Sequence, residues 1–289
     1  MKSDEGIATI RAIAKRTAIP DDAWSIYLAP EPGFRSTLID RTRPVQGGVI
    51  HRPGPFGGAY CSVGVNGEWQ FSQSYRGFLT ASHCTVAYLQ LDASTTYTFQ
   101  NSIITNDSLA YEFDDPTYFT GGSCAVGARC RYSDVAFFRY LNGSSSGLGT
   151  IARTMYSDSG APGSTTISGQ FTIAGDWPYS FLCEQLQKVG ATTGWTYGST
   201  IATCQNHLSQ SGSPAYYILC SDDSKLWSDG GDSGAPIFKW YGSPDTTVYW
   251  AGILWGGPVV NNQIDRTVTW HSPRWNIDRE LTGAYGWYW

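Results

Sequence analysis

From Gly47 onward, the chain consists of short runs of β-forming residues separated by glycine, serine, asparagine and proline. Examples are residues 75–80, 165–174, 236–240 and 248–255. Such runs, with 33 glycines in 289 residues to turn the chain between them, are typical of proteins built from many short strands. The pattern predicts an all-β barrel architecture, which by itself does not define a function.

Two segments depart from the strand pattern. Ser272-Pro273 would supply a cap and a first-turn proline, and Ile277 and Leu281 would share one face, which predicts a C-terminal helix. Residues 1–45 combine a short amphipathic pattern with several prolines. We expect them to be an N-terminal extension or propeptide remnant ahead of a domain over residues 46–289.

Composition excludes several classes of function. The formal net charge is −5, whereas a nucleic-acid-binding protein usually presents a basic face, so no nucleic-acid partner is expected. No run of 18 apolar residues occurs, so no membrane span is expected. The first residues also lack the uninterrupted apolar run of about 7–15 residues that an export signal needs.

The most informative motif is the hexapeptide Gly231–Pro236, GDSGAP. A serine hydroxyl is a poor nucleophile unless a base lies within hydrogen-bond reach. The flanking glycines would let the backbone aim the N–H groups of Gly231 and Ser233 at one point, as an oxyanion hole requires. A glycine-rich turn between strands would explain the same residues, so the hexapeptide alone leaves both interpretations open.

Two further motifs supply the groups that a serine nucleophile needs. In residues 78–84, FLTASHC, an apolar strand ends in small residues before His83. In residues 131–138, RYSDVAFF, Asp134 begins an apolar strand, where a carboxylate is costly to bury unless it is hydrogen-bonded. An imidazole N–H would supply that bond and hold the tautomer that accepts the serine proton. We expect no catalytic role for the other histidines, which are His51, His207 and His271.

The three motifs occur in the order His83, Asp134, Ser233, with separations of 51 and 99 residues. This order distinguishes the chymotrypsin arrangement from those of subtilisin and the α/β-hydrolases. Over residues 44–283 the chain resembles the trypsin/chymotrypsin-like serine peptidases, in particular the bacterial secreted branch of streptogrisins and α-lytic protease. The resemblance implies an all-β fold of two six-stranded antiparallel β-barrels with a C-terminal helix, and an active site between the barrels.

The resemblance also implies an activity and its residues. His83 would take the proton of Ser233, Asp134 would orient His83, and the amides of Gly231 and Ser233 would hold the oxyanion. The protein would then be a secreted monomeric endopeptidase that acts on protein or peptide substrates without a metal or cofactor. The alternatives are a catalytically inactive relative kept as a binding module, and an esterase, which the chain order and the absence of a Gly-x-Ser-x-Gly elbow disfavour.

Residues 251–257, AGILWGG, resemble the strand that pairs with substrate beside the specificity pocket. The resemblance implies substrate-binding roles for Leu254, Trp255, Gly256 and Gly257. Counting back six residues from Ser233 places Trp227 at the pocket floor, where trypsin-type enzymes have an acid. This predicts an uncharged, mainly apolar residue before the cleaved bond, unless the loop differs in length and Asp223 or Asp229 reaches the pocket.

Two departures from the family pattern leave groups without an assigned partner. Many relatives have a serine where Leu254 stands, and its hydroxyl supports the aspartate, so support for Asp134 must come from elsewhere. No Ile-Val-Gly-Gly terminus is present to pair with the acid beside the nucleophile. We therefore expect an internal cationic partner for Asp232, which the sequence does not identify.

The seven cysteines contain no C-x-x-C pair, so neither a zinc site nor a thioredoxin-like motif is indicated. The resemblance implies a disulfide between Cys61 and Cys84, around the histidine motif. We further predict the disulfides Cys124–Cys130 and Cys204–Cys220, which leave Cys183 unpaired. Seven free thiols are the alternative.

Overall fold

The structure is a computed structural model that describes residues 36–54, 60–70, 74–85, 88, 97–100, 107–141, 146–155, 161–210, 214–241, 245–261 and 263–281. Contacts group the chain from Ser36 onward into one compact unit, and Leu38 is already part of its buried core. The short amphipathic pattern near the N-terminus lies outside the described residues. The domain boundary between residues 45 and 46 stays a prediction.

The described residues form nineteen strands and one α-helix. In chain order they are β1 (Val45–Gly47), β2 (Ile50–Pro53), β3 (Cys61–Ser62), β4 (Asn66–Gln70), β5 (Ser74–Thr80), β6 (Tyr97–Phe99), β7 (Ser108–Asp114), β8 (Arg129–Arg131), β9 (Ala136–Tyr140), β10 (Ser146–Thr154), β11 (Ile167–Asp176), β12 (Gln185–Gly190), β13 (Gly194–Gln210), β14 (Tyr216–Ser224), β15 (Pro236–Trp240), β16 (Thr247–Gly256), β17 (Val259–Val260), β18 (Gln263–Ile264), β19 (Thr269–Pro273) and α1 (Arg274–Glu280). None of the described helices is long and apolar enough to cross a membrane.

The first sheet curls into a barrel. Its strand order is β3-β2-β6-β7-β9-β5-β4, and every pairing in it is antiparallel. The link between β3 and β4 closes the ring, because Val63 donates to Val49 O at 2.7 Å and Gly64 donates to Leu79 O at 2.7 Å. With β3 and β4 counted as one interrupted strand, this barrel has the six strands that the resemblance implied.

The second sheet contains a closed six-stranded antiparallel ring. Its order is β16-β15-β12-β13-β14-β19, and β19 pairs back onto β16. Four more strands, β1, β8, β10 and β11, extend the sheet to ten, and β1–β10, β11–β16 and β8–β14 are parallel pairs. The predicted two-barrel all-β fold is confirmed, with these parallel additions that the sequence did not predict.

Strand alternation places large apolar side chains inside. Along β11, Phe171 and Ile173 are buried while their neighbours face solvent, as the period of two residues in a strand requires. Phe137 and Phe138 are both fully buried, because β9 is covered on both faces. Burial of such side chains contributes about 1.5–3 kcal/mol each.

The C-terminal helix is confirmed, but its predicted cap is wrong. α1 begins at Arg274, the residue before it is Pro273, and no side chain caps the helix. Ser272 lies in β19, and its hydroxyl oxygen accepts the N–H of Asp134 at 3.0 Å. The hydroxyl that was expected to begin the helix therefore supports the segment that carries the predicted catalytic acid.

Three disulfides are present, and they are the three predicted pairs: Cys61–Cys84, Cys124–Cys130 and Cys204–Cys220. Cys183 is unpaired and exposed. The first disulfide joins β3 to the turn that carries His83, so the covalent link holds two segments that meet at the site described next.

Candidate active site

His83 and Asp134 form a hydrogen-bonded pair. His83 lies in a 3₁₀ turn, Ser82–Cys84, at the end of β5. Its Nδ1 is 2.8 Å from Asp134 Oδ2, and its backbone N–H donates to Asp134 Oδ1 at 3.0 Å. The carboxylate is fully buried, whereas the imidazole is 34% exposed. Asp134 therefore fixes both the ring and the backbone of His83, and the exposed edge of the ring is left for a partner.

The charge of Asp134 determines the basicity of this imidazole. Burial disfavours the charged ring, but the ionised Asp134 at Nδ1 outweighs that effect and raises the pKa of His83 above its usual value. An imidazole held in this way has its proton on Nδ1, so Nε2 is available to accept another proton.

Ser233 lies in the turn before β15, against the end of β5. Its carbonyl accepts the N–H of Ser62 at 2.7 Å. A Cβ added to Gly234, whose φ is +87°, would lie 2.2 Å from Thr80 Oγ1 and 3.2 Å from Ala81 N, so only glycine allows this approach. The two barrels thus bring the serine turn against the strand that leads into the histidine turn. The hydrogen bonds of the described residues do not include one from the Ser233 hydroxyl to His83.

Two backbone N–H groups around Ser233 have no acceptor among the described residues. Gly231 has a φ of +96°. The carbonyl of Gly230 accepts the Thr192 hydroxyl at 2.7 Å, and the carbonyl before Ser233 accepts the N–H of Ala235 at 2.9 Å. In a trans peptide the N–H points opposite to the C=O, so the amides of Gly231 and Ser233 point away from these contacts. Among the described residues neither amide has an acceptor, as an oxyanion-binding pair requires.

The cationic partner expected for Asp232 is Lys188. Lys188 Nζ is 3.1 Å from Asp232 Oδ2, and both side chains are fully buried. Burial lowers the pKa of Lys188, and the negative charge of Asp232 counteracts it. The carboxylate also accepts the N–H groups of Thr192 and Thr193 at 3.0 and 3.1 Å and that of Asp229 at 3.1 Å. The turn between Asp229 and Ser233 is therefore built around this buried ion pair.

Replacing Lys188 with methionine is expected to destabilise the protein by about 3–5 kcal/mol, because a buried carboxylate loses its counter-ion. Urea unfolding of the purified variant measures the loss. Lys239→Met is the matched control, since the Lys239–Glu184 pair, at 3.2 Å, is 18% and 7% exposed, and its loss should cost less. The double variant Lys188→Met/Asp232→Asn should regain much of the stability. Equal losses in Lys188→Met and Lys239→Met would contradict the assignment.

Comparison with known proteins places this geometry in a fold family. No protein-family model matches the chain, and no curated protein does. Among solved structures, a glutamic acid-specific serine protease that utilizes a histidine triad in substrate binding aligns with a TM-score of 0.55 at 20% identity. The alignment covers 82% of this chain and 98% of that one.

Two further structures agree. They are an alpha-lytic protease homolog named N4, with a TM-score of 0.52 at 16% identity, and protease A of Thermobifida fusca, with 0.50 at 20% identity. Each alignment covers 82% of this chain, and 97% and 94% of the other chains respectively. The chain has the chymotrypsin-like protease fold. The resemblance read from the sequence motifs is therefore confirmed at the level of the fold.

A cavity of about 710 Å³ opens beside His83 in this chymotrypsin-like fold. It is lined by His83, Thr85, Tyr88, Leu208, Ser209, Trp255, Gly256, Gly257, Val259 and Trp270. Three of the residues predicted to bind substrate, Trp255 to Gly257, are among them. Leu254 is instead buried in a separate apolar cluster, and Trp227 is half-buried outside this lining. The aromatic walls suit apolar side chains.

Apart from His83, sequence reasoning missed the cavity residues outside the 251–257 motif. Tyr88 and Trp270 lie 182 positions apart, and neither stands in a motif that signals binding. Leu208 is 43% exposed and lies near the far end of β13, a strand of 17 residues. Because these side chains converge only through the long β13–β14 hairpin and β19, a local pattern could not have identified them.

The two acids that were considered for the specificity pocket have other partners. Asp229 Oδ2 is 2.8 Å from Arg266 Nε, and Asp223 Oδ1 is 2.7 Å from His207 Nε2. His207 in turn stacks on Trp270, with ring centroids 4.0 Å apart. A carboxylate that already has such a partner is a weaker partner for a further cation.

The remaining histidines have other environments. His51 is fully buried, lies 2.8 Å from the hydroxyls of both Thr80 and Thr98, and burial lowers its pKa to about 3. In the described part of the chain, the one group with metal-ligand proximity is His51, Cys61 and Cys84, with ligand atoms within 4.8 Å of one another. Both sulfurs belong to the disulfide, so they offer no thiolate to a metal.

Proposed function

We propose that the protein is a serine endopeptidase in which Ser233 is the nucleophile, His83 the general base and acid, and Asp134 the residue that orients His83. The observation that carries the proposal is the buried Asp134 carboxylate bonded to both N–H groups of His83, next to the turn of Ser233. The chymotrypsin-like fold supports the proposal, because the order His, Asp, Ser along the chain is the order of the chymotrypsin arrangement.

The reaction follows from these positions. Ser233 Oγ attacks the carbonyl carbon of a peptide bond while its proton passes to His83 Nε2. The amides of Gly231 and Ser233 donate to the oxyanion of the tetrahedral intermediate. The C–N bond then breaks, and His83 gives its proton to the departing amine. Water, activated by His83 in the same way, attacks the acyl-enzyme and releases the acid, which restores the serine.

The substrates we propose are proteins or peptides with an uncharged, mainly apolar residue before the cleaved bond. Trp227 at the counted pocket position, together with the paired states of Asp223 and Asp229, supports this preference. The aromatic cavity beside His83 would hold further apolar side chains of the substrate. Trp255, Gly256 and Gly257, which line this cavity, are proposed to form the substrate-binding edge. Leu254 is left out of that edge, because its side chain is buried and its backbone N–H and C=O already pair with Ala235 and Gly234.

Secretion as a monomer is also a proposal. Three disulfides are typical of proteins that mature in an oxidising compartment outside the cytosol. A second candidate function is an inactive protease-like binding module, which is favoured by the absence of a Ser233–His83 hydrogen bond among the described contacts. Catalytic hydrogen bonds are often long before substrate binds, so this observation is weaker than the intact His83–Asp134 geometry.

Labelling with a fluorophosphonate tests the proposal directly. The wild-type protein should gain the mass of one phosphonyl adduct at Ser233, and the His83→Ala variant should gain it far more slowly. A peptide library should then show cleavage after apolar residues. A chain that is folded by circular dichroism but takes up no label would instead identify a binding module, and faster cleavage after arginine or lysine would show that an aspartate reaches the pocket.

A further inference from the structure

The segment that carries Asp134 lacks regular secondary structure, and side chains bond its backbone. Residues 132–135 lie between β8 and β9. The carboxylate of Glu280, at the end of α1, accepts the N–H of Tyr132, the N–H of Ser133 at 3.1 Å and the hydroxyl of Ser133 at 2.7 Å. Ser272 accepts the N–H of Asp134. Three successive N–H groups are thus held by side chains, where a regular strand would use a neighbouring strand.

The guanidinium of Arg131 binds the same segment from the inside. Arg131 is fully buried, and its Nη2 donates to Val135 O at 2.8 Å. Its Nε donates to Glu280 at 3.1 Å, and its Nη1 donates to Asp115 at 2.5 Å. The planar fork of an arginine can make these bonds in fixed directions at once, which a lysine cannot.

A second connection runs to the histidine side of the pair. The hydroxyl of Ser82, the residue before His83, donates to Asp115 at 2.6 Å, and the Ser82 N–H donates to Asp134 O at 3.2 Å. The Arg131 cation also interacts electrostatically with Asp134. One buried network therefore reaches the backbone on both sides of Asp134 and the residue next to His83.

From this network we propose that Arg131 and Glu280 are positioning residues, which hold Asp134 at His83 and make helix α1 part of the active-site support. This inference rests on the proposed function. Many relatives support the catalytic aspartate with a serine hydroxyl at the position of Leu254, and leucine has no hydroxyl. In this chain Arg131 and Glu280 would support Asp134 instead. Neither residue lines the cavity beside His83, so both would act through Asp134.

The charges of the network indicate how its loss would change catalysis. The network places two carboxylates, those of Asp115 and Glu280, on the single guanidinium of Arg131 next to the Asp134–His83 pair, so acidic groups outnumber basic ones. Among the described residues, Asp114 also interacts with Arg131, and Tyr88 faces His83. Burial raises the pKa of Asp115, and Arg131 and Ser82 offset part of that rise, so that the pKa is about 6. Asp115 is therefore ionised at neutral pH. Removing the negative charge of Glu280 should lower the pKa of His83, because the protonated imidazole then has less negative charge nearby to stabilise it.

The experiment compares Glu280→Gln with Glu184→Gln. Both are substantially buried carboxylates, 9% and 7% exposed, that accept several hydrogen bonds and one cation. Glu184 binds Lys239, the Trp177 indole and the N–H of Phe181, away from Asp134. We expect kcat to fall about 10- to 100-fold in Glu280→Gln, with little change in KM. The acid limb of its pH profile, where kcat/KM falls as His83 becomes protonated, should move to lower pH. Glu184→Gln should keep the wild-type kcat and pH profile.

A readout that does not depend on turnover separates this inference from the proposed function. The low-field proton NMR resonance of His83 Nδ1–H should shift or broaden in Glu280→Gln and stay in place in Glu184→Gln. If Glu280→Gln does not fold, Ser133→Ala removes one of the bonds to Glu280 and should produce a smaller change of the same kind. Wild-type kcat, pH profile and resonance in the Glu280 or Ser133 variant would overturn the proposal, as would equal changes in Glu184→Gln. A wild-type chain without peptidase activity, but with the NMR response, would refute the proposed function alone.

Discussion

Ser233→Ala is expected to lower kcat by a factor on the order of a million, because the other members of the triad cannot act without the nucleophile. The fold should be unaffected. The contacts that hold the turn do not use the Ser233 hydroxyl: they are the Ser233 carbonyl to Ser62 N–H, the close approach of Gly234 to Thr80, and the buried Lys188–Asp232 pair. The hydroxyl makes no hydrogen bond among the described residues, so its removal leaves no buried group unpaired. The oxyanion amides and the substrate-binding residues remain in this variant, so the residual rate of hydrolysis should still exceed the rate in water.

The measurement is steady-state hydrolysis of the best peptide found by library profiling, together with thermal unfolding. Ser168→Ala is the control, since Ser168 lies on the exposed face of β11 and donates only to backbone carbonyls. It should keep full activity. Fluorophosphonate labelling of Ser233→Ala at the wild-type rate would show that another residue is the nucleophile.

Local sequence pattern was sufficient for several strands, and it selected the residues of the proposed triad, whose catalytic roles stay a prediction. Residues 236–240 were predicted as a strand and form β15 with the same bounds, because an apolar run between glycine-rich turns leaves few other structures. Residues 165–174 correspond to β11 with a shift of two residues. The motifs around His83 and Asp134 were recognisable because small residues and a buried acid at a strand end are unusual without a function.

The ion pairs between residues far apart in the chain could not be predicted from the sequence. Lys188 sits in a strand whose sequence, QLQKVG, reads as half-exposed, and its partner Asp232 is 44 residues away. Arg131 and Glu280 are 149 residues apart, and nothing local marks either of them as buried. Charged residues are normally solvated, so a sequence pattern favours the surface for them; only the closed barrels and the docked helix bring their partners together.

Asp134→Asn is expected to lower kcat about ten-thousand-fold while leaving the fold intact. The asparagine amide can still accept the His83 N–H with its oxygen, but its NH₂ group would face Nδ1 as a donor. His83 would then carry its own proton on Nε2, where it cannot accept the proton of Ser233. The positioning network of Arg131 and Glu280 does not use the Asp134 side chain, so it should hold the segment in place.

The pH dependence of kcat/KM provides a second, independent test of the Asp134→Asn prediction. Neutral His83 is the active base, so kcat/KM of the wild type should rise as pH increases through the pKa of His83. Asp134 raises that pKa, so its replacement by a neutral amide must lower it and move the acid limb of kcat/KM to lower pH. Asp223→Asn is the matched control, since Asp223 binds His207 at 2.7 Å in a similar pair, and its kcat and acid limb should stay close to the wild type. If the acid limb stayed in place in Asp134→Asn while kcat fell, the titrating group would be one other than His83, and Asp134 would act on the fold of the site rather than on its base.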